Sequence, residues 1–310
     1  MKFTAKWLAL GMALLLCLSM LIGCGEKEPE LPEDEPVGDE QQTEVPEVHS
    51  DTIECNNGTT TLRFVKNEDG AWTWKDDPTF PLDVSYVEPL ALAIEKILLQ
   101  DPIETSRTLE DLGLDSEESY ITVINETGHK ITWYLGGMND AGCYYMRRAD
   151  DANNAVYVSP PELCTLITRS IYDMMVLPQL PQISAGNVRT MTITAGETSK
   201  QLYKNSAGNW THGVTNVHEK ASLLTAQLEK LELDGCLDYS PSEGAAAICQ
   251  LDPPAVVLTV DFVTAVGMDS TLILSIGARL NSGYCVNIND DPTIYRMDPE
   301  LIDPIMAFLP

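Results

Sequence analysis

The chain has 310 residues, 19 Lys and Arg against 47 Asp and Glu, and a formal net charge of −28. That length fits one large or two modest domains of roughly 100–200 residues each, and its 44% hydrophobic content is near the globular range of about 45–50%. So strong an acidic excess excludes a role that rests on holding nucleic acid or an anionic membrane by charge.

Lys2 and Lys6 open a short positive region, and an apolar run of about 16 residues follows from Trp7 to Ile22. It is shorter than the ~20 residues a spanning helix needs, so residues 1–23 read as a signal peptide. The run ends in Leu21-Ile22-Gly23-Cys24, which resembles the lipobox of bacterial lipoproteins. In that family the cysteine is diacylated on sulfur and the peptide is cut before it. The resemblance makes Cys24 the lipidation site and membrane lipid its partner, with the protein anchored at the cell membrane on the extracytoplasmic face. An ordinary signal peptide with an incidental cysteine is the alternative. Residues 24–50 then carry ten acids, from Glu26 to Glu47, opposed only by Lys27 and interrupted by Pro29, Pro32, Pro36 and Pro46. Like charges extend such a segment and it has little apolar surface to bury, which predicts a disordered tether.

Residues 51–310 read as one unit written twice. Ile53, Gly58, Lys66-Asn67 and Trp72-Thr73 return at a constant shift as Met191, Gly196, Lys204-Asn205 and Trp210-Thr211. Ile94-Glu95-Lys96-Ile97 echoes Leu228-Glu229-Lys230-Leu231, and Leu114-Asp115 echoes Leu251-Asp252. Leu135-Gly136 matches Ile276-Gly277, and Pro161-Glu162-Leu163 matches Pro299-Glu300-Leu301. The order is kept from end to end, which predicts two tandem halves, 51–180 and 181–310, divided in the Pro- and Gly-containing stretch 178–186.

Within the first half, residues 60–65 alternate, 67–70 turn and 71–74 return, a hairpin. Val87, Leu90, Ala91, Ile94 and Leu98 recur at helical spacing over 84–99, with Pro89 placing the helix start near itself. Residues 120–125 and 130–135 flank Glu126-Thr127-Gly128-His129 as a second hairpin. Strands at 144–147 and 155–158 and a closing helix over 160–175 complete the half. The second half predicts strands at 191–194 and 201–204, a helix at 222–233, and strands at 256–262, 271–276, 284–288 and 293–297. Hairpin-linked strands interrupted by single helices predict an α+β fold, each lobe an antiparallel sheet with covering helices.

This pattern resembles the bacterial proteins bearing domain of unknown function 4340, over nearly all of residues 51–310. The carriers are Trp72 and Trp210, each after a hairpin turn, Leu112-Gly113-Leu114-Asp115, and the Leu-Gly-Gly to Gly-Cys-Tyr-Tyr stretch of residues 135–145. The second half has Gln250 where the family has a glycine before Leu-Asp-Pro, which predicts an altered turn. The resemblance implies an envelope protein, sometimes encoded beside ABC-transporter or gliding-type components. It implies no reaction.

Cys55, Cys143, Cys164, Cys236, Cys249 and Cys285 remain after cleavage and lipidation, and six cysteines allow 15 full pairings. Cys236 and Cys249, flanking a Ser-, Pro-, Gly- and Ala-rich loop, are the best local disulfide candidates; the alternative is small buried thiols. His212 and His218 share a loop but lack a fixed ligand spacing, and no Cys-x-x-Cys occurs, so no metal is assigned. No Gly-x-Ser-x-Gly elbow, glycine-rich phosphate loop or Ser-x-x-Lys set is present, and neither a catalytic residue nor a cofactor is assigned. Gly136-Gly137 and Gly277 read as strand-end turn formers. The pairs Asp76-Asp77, Asp150-Asp151 and Asp290-Asp291 read as turn-forming, solvated charge. Trp74, Trp133 and Tyr144 are candidates for stacking on a sugar or peptide, set against a core role. Two functions follow as expectations: a non-catalytic, membrane-anchored interaction or accessory subunit of an envelope complex, such as an ABC transporter, or a lipoprotein binding a small ligand between the two lobes.

Overall fold

Alternation of buried and exposed residues along short strands gives this chain two antiparallel sheets. The computed structural model describes residues 50–97 and 100–308. The expected signal peptide, the expected lipidation site Cys24 and the expected tether, up to residue 49, therefore lie outside the described residues. The described part belongs to one compact unit, Pro46–Pro310.

The first sheet holds β1 (Ser50–Asn57), β2 (Thr61–Lys66), β3 (Trp72–Trp74), β4 (Ser119–Asn125), β5 (Lys130–Met138), β6 (Tyr144–Arg148) and β7 (Tyr157–Val158). Its order is β3-β2-β1-β4-β5-β6-β7. The second holds β8 (Val188–Ala195), β9 (Thr198–Lys204), β10 (Trp210–His212), β11 (Thr215–Asn216), β12 (Gly235–Asp238), β13 (Val256–Val263), β14 (Asp269–Leu280), β15 (Gly283–Ile288) and β16 (Ile294–Met297). Its order is β11-β10-β9-β8-β13-β14-β15-β16-β12, the sequence of the first sheet with one short strand added at each edge. The central strand β1 escapes sequence reading because Asp51, Glu54, Asn56 and Asn57 blur the alternation, yet Ile53 and Cys55 are buried within it.

Helices are few and short, so the fold is mostly β. The first, α1 (Val87–Ile97), buries Val87, Leu90, Ile94 and Ile97 on one stripe. A turn of 3-10 helix over Val84–Tyr86 precedes it, capped by the Asp83 carboxylate accepting from the Ser85 N–H. Proline is tolerated at Pro89 because the N–H it lacks is unpaired in the first turn of any helix. The predicted closing helix is shorter than expected: α2 (Pro161–Ile167) ends, and Ser170 starts a separate 3-10 turn, Ile171–Met174, through a reciprocal cap with Asp173. In the second half α3 (His218–Leu228) buries Ala221, Leu224 and Leu228, and α5 (Pro299–Met306) buries Ile302 and Ile305. The expected loop between Cys236 and Cys249 contains the end of β12 and a small helix, α4 (Glu243–Ile248).

The same local devices recur in the two sheets. Lys66 faces Trp72 across β2–β3 with its ammonium 5.1 Å from the ring centroid, and Lys204 does the same to Trp210 at 4.9 Å. A cation held over an indole stabilises the hairpin by roughly 0.5–2 kcal/mol while the ring caps the core. The second device is a bulge. Pairing of β5 with β6 slips between Leu135 and Met138, and pairing of β14 with β15 slips between Ile276 and Arg279. The freed Gly137 N–H donates to the Leu112 carbonyl at 2.7 Å, and the Ala278 N–H donates to the Cys249 carbonyl at 2.7 Å.

Glycine is required at these bulges for room, not for torsion. A Cβ on Gly136 would lie 2.3 Å from the Leu112 oxygen, and one on Gly277 would lie 2.0 Å from the Cys249 oxygen. The strand-end turn reading is thus replaced by a mid-strand bulge carrying a loop carbonyl. The loops themselves match: Gly113 and Gln250 both take the left-handed conformation, at φ 68° and 54°. Gln250 therefore does not alter the turn, as the sequence had suggested; it adopts the glycine geometry at a steric cost of roughly 1–2 kcal/mol.

Gly277→Ala should destabilise the protein by about 1–3 kcal/mol through this overpacking. Gly244→Ala, where nothing lies within 4 Å of the added methyl, should be neutral or slightly stabilising. Urea unfolding midpoints of the two variants check both outcomes.

Candidate functional site

The residues that join the two halves come from three distant segments. Phe80 follows β3, Tyr172 lies in the 3-10 turn after α2, and Tyr239 follows β12. Phe80 meets Tyr239 edge-on at 5.1 Å and Trp74 edge-on at 5.4 Å, with Tyr172 tilted against it at 6.4 Å. Edge-to-face contacts of this kind contribute roughly 0.5–1.5 kcal/mol each beyond the area they bury. The polar ends of the two tyrosines complete the joint: Tyr172 Oη donates to Asp238 and Tyr239 Oη to the Thr79 carbonyl, both at 3.3 Å. Burial, with help from Asp238, pushes the Tyr172 hydroxyl pKa up. One hydrophobic core runs through both halves across this joint.

Beside the joint lies an open groove of about 760 Å³. Asp77, Thr79 and Pro81 form one wall, the connecting segment Met175–Gln179 the floor, and Tyr239 with Asp291, Pro292, Thr293 and Tyr295 the other wall. The connecting segment is held in place by backbone bonds, Asp83 N–H to the Met174 carbonyl and Val176 N–H to the Pro81 carbonyl, each 2.8 Å. Val176 is about half exposed at the groove.

The two carboxylates of the groove are already engaged. Asp77 accepts from the Thr79 hydroxyl at 2.6 Å and its N–H at 2.9 Å, which hold its pKa below the usual range. Asp291 accepts from the Thr293 N–H at 2.9 Å and the Tyr295 hydroxyl at 2.7 Å. Burial works to raise its pKa, but these hydrogen bonds outweigh burial and the net shift is downward. Burial and the adjacent Asp291 raise the Tyr295 hydroxyl in turn. Both acids are ionised acceptors that shape turns.

The aromatic candidates are not brought together. Trp74 is half-buried and reaches the joint through Phe80. Trp133 is only 1% exposed and packs edge-on against Tyr157 at 5.0 Å inside the first half. Tyr144 is half-buried against the same core, its backbone N–H bonded to Ser159. The joint and groove use Phe80, Tyr172 and Tyr239 instead, residues that carry no local motif.

Nor does the fold bring Cys236 and Cys249 together. Cys236 packs on the main core, whereas its neighbour Leu237 packs on a small cluster with Cys249, Leu251, Cys285 and Ile294. Successive strand residues point to opposite faces, so Cys236 and Cys249 lie on opposite sides of the second sheet. His212 Nδ1 pairs with the Gln201 carbonyl, and His218 Nδ1 accepts from the Trp210 N–H. Among the described residues no group of three or more His, Cys, Asp or Glu is placed to hold a metal, and no helix is long and apolar enough to cross a membrane.

The chain belongs to the family of the domain of unknown function DUF4340, whose model matches residues 72–254. No curated protein and no solved structure matches it.

The lowered pKa of Asp291 means the folded state prefers the ionised carboxylate. Its contribution to stability is present above the ordinary carboxylate value of about 4 and is lost as pH falls through the lower folded value. Tyr295→Phe should cost about 1.5 kcal/mol at pH 7, and that deficit should shrink below pH 4 as the carboxylate protonates in both proteins. Thermal melts from pH 7 to pH 2 read out the difference.

Proposed function

We propose that this protein is a non-catalytic, lipid-anchored extracytoplasmic accessory subunit that docks on an envelope complex, an ABC-type transporter being the leading candidate. The observation that carries the reading is the state of the interlobe groove. Its carboxylates are bound into their own turns by Thr79, Thr293 and Tyr295, and its floor presents the exposed Val176 on a segment fixed to Pro81. Such a surface suits recognition of another protein, where prearranged acceptors and apolar contact set the register, better than acid–base chemistry.

The sequence before the sheets supplies the rest of the reading. Lipid on Cys24 would hold the chain at the membrane, and the acidic, proline-interrupted stretch up to residue 50 would extend the domain away from it. We further infer that the domain arose by duplication of one sheet-and-helix unit. The shared strand order, the Lys66–Trp72 and Lys204–Trp210 pairs and the two glycine bulges support that origin. A second reading, a small ligand in the groove, is favoured by its volume, which falls within the roughly 300–1,000 Å³ of small-molecule sites.

A photo-crosslinking residue at position 176, used in cells on the intact chain, tests docking at this face. Reproducible capture of transporter or cell-wall machinery, lost when Cys24→Ala releases the protein from the membrane, is the expected outcome. Capture of abundant neighbours alone would overturn the docking reading in favour of a small ligand, and membrane retention of the Cys24→Ala protein would overturn the anchor.

A further inference from the structure

We propose that Cys249 and Cys285 are a disulfide-forming pair that fastens the α4 loop to the back of the second sheet. The backbone sets them together. Cys249, at the end of α4, lays its carbonyl on the Gly277-Ala278 bulge. That bulge sits between the pairs Ile276–Val286 and Arg279–Tyr284, which puts it opposite Cys285 on β15. Both cysteines belong to one small cluster with Leu251 and Ile294.

The first half shows what this place holds when no cysteine is present. There the carbonyl on the bulge is that of Leu112, and the residue between the paired Tyr144 and Met146 is Tyr145. Leu112 and Tyr145 pack in one cluster with Leu114 and Val156. A contact made by Leu and Tyr in one sheet is thus occupied at both positions by cysteine in the other. A need for a small buried residue would account for one such change; a covalent link accounts for both. Cys236, the other cysteine near in sequence, is on the opposite face of the sheet and cannot compete.

Exposure dictates the order of the chemistry. Cys249 is half-buried, whereas Cys285 is fully buried and its thiol pKa is pushed up to about 12 by burial and by the neighbouring Cys249. Cys249, as the thiolate, attacks one sulfur of an oxidised dithiol, such as a disulfide-donor protein or glutathione disulfide, and displaces one thiolate. Cys285 then gives up its proton and attacks the Cys249 sulfur, forming the Cys249–Cys285 bond and releasing the second thiolate. Two protein thiols are oxidised and one donor disulfide is reduced to two thiols. This step goes beyond the docking reading and holds whatever the partner.

The test uses the purified full chain, first reduced, then incubated folded with glutathione disulfide, alkylated and digested without reduction. The expected result is a linked peptide pair joining Cys249 to Cys285, loss of two alkylatable thiols, and a rise in Tm of roughly 6–12 °C that dithiothreitol reverses. The link should persist in Cys236→Ala and vanish in Cys249→Ala. Formation of a Cys236–Cys249 link, arrest at a glutathione adduct on Cys249, or no loss of thiols in the folded wild-type chain would each overturn the proposal, whether or not the variants fold.

Discussion

The bond from a loop carbonyl to a bulged N–H is the constraint on which each half of this molecule turns. A buried peptide carbonyl must find a donor, and a regular strand has none to spare, because its N–H groups are committed to the ladder. The bulge at Gly136-Gly137 or Gly277-Ala278 frees one, and the absence of a Cβ lets the Leu112 or Cys249 oxygen reach it. The left-handed residue that follows, Gly113 or Gln250, turns the chain so that Leu114 or Leu251 enters the cluster behind the sheet. Beyond the bulge the pairing has slipped, so the same bond decides which side chains of β6 and β15 face the core. That Gln250 accepts a conformation costing roughly 1–2 kcal/mol to keep this contact ranks it above local propensity.

Given two sheets built this way, the joint between them follows from burial. Edge residues after β3 and β12 would leave aromatic area in water if the halves stood apart; instead Phe80 sits among Trp74, Tyr172 and Tyr239 in a core common to both sheets. Hydroxyls of the two tyrosines are satisfied by the opposite half. Such a joint resists hinge motion, since opening it would expose the rings and orphan two polar groups. The groove beside it is therefore a fixed surface, which suits presentation to a large partner more than closure around a small one.

How much of this was legible in the sequence depends on the range of the interaction that sets each feature. Hairpins were readable because their turn residues are neighbours in sequence, and the stripe of α1 because helical burial repeats locally; α3 was legible only in part, since it runs His218–Leu228 and not over the predicted 222–233. The central strand β1 was hidden by its polar positions, and α4 by small residues that read as loop. Gly136 and Gly277 were visible as glycines, but the carbonyls that demand them come from residues 24 and 28 positions earlier, so the reason was not. Likewise Phe80, Tyr172 and Tyr239 have no common motif; only the fold makes them one cluster. Trp133 drew notice as an aromatic, while its core role depends on Tyr157 from another hairpin.

Several residues within the matched stretch 72–254 hold the backbone. Trp72 and Trp210 carry a lysine each, Leu112-Gly113-Leu114 delivers a carbonyl, and Gly136 receives it. None of them lines the groove. In the groove's second wall Asp291, Pro292, Thr293 and Tyr295 lie beyond the matched stretch 72–254, while Tyr239, the first wall and the floor fall within it. On the docking reading proposed above, recognition would fall to groove side chains such as Asp291, Thr293 and Val176, because a partner meets surface chemistry and not the devices that fix a bulge.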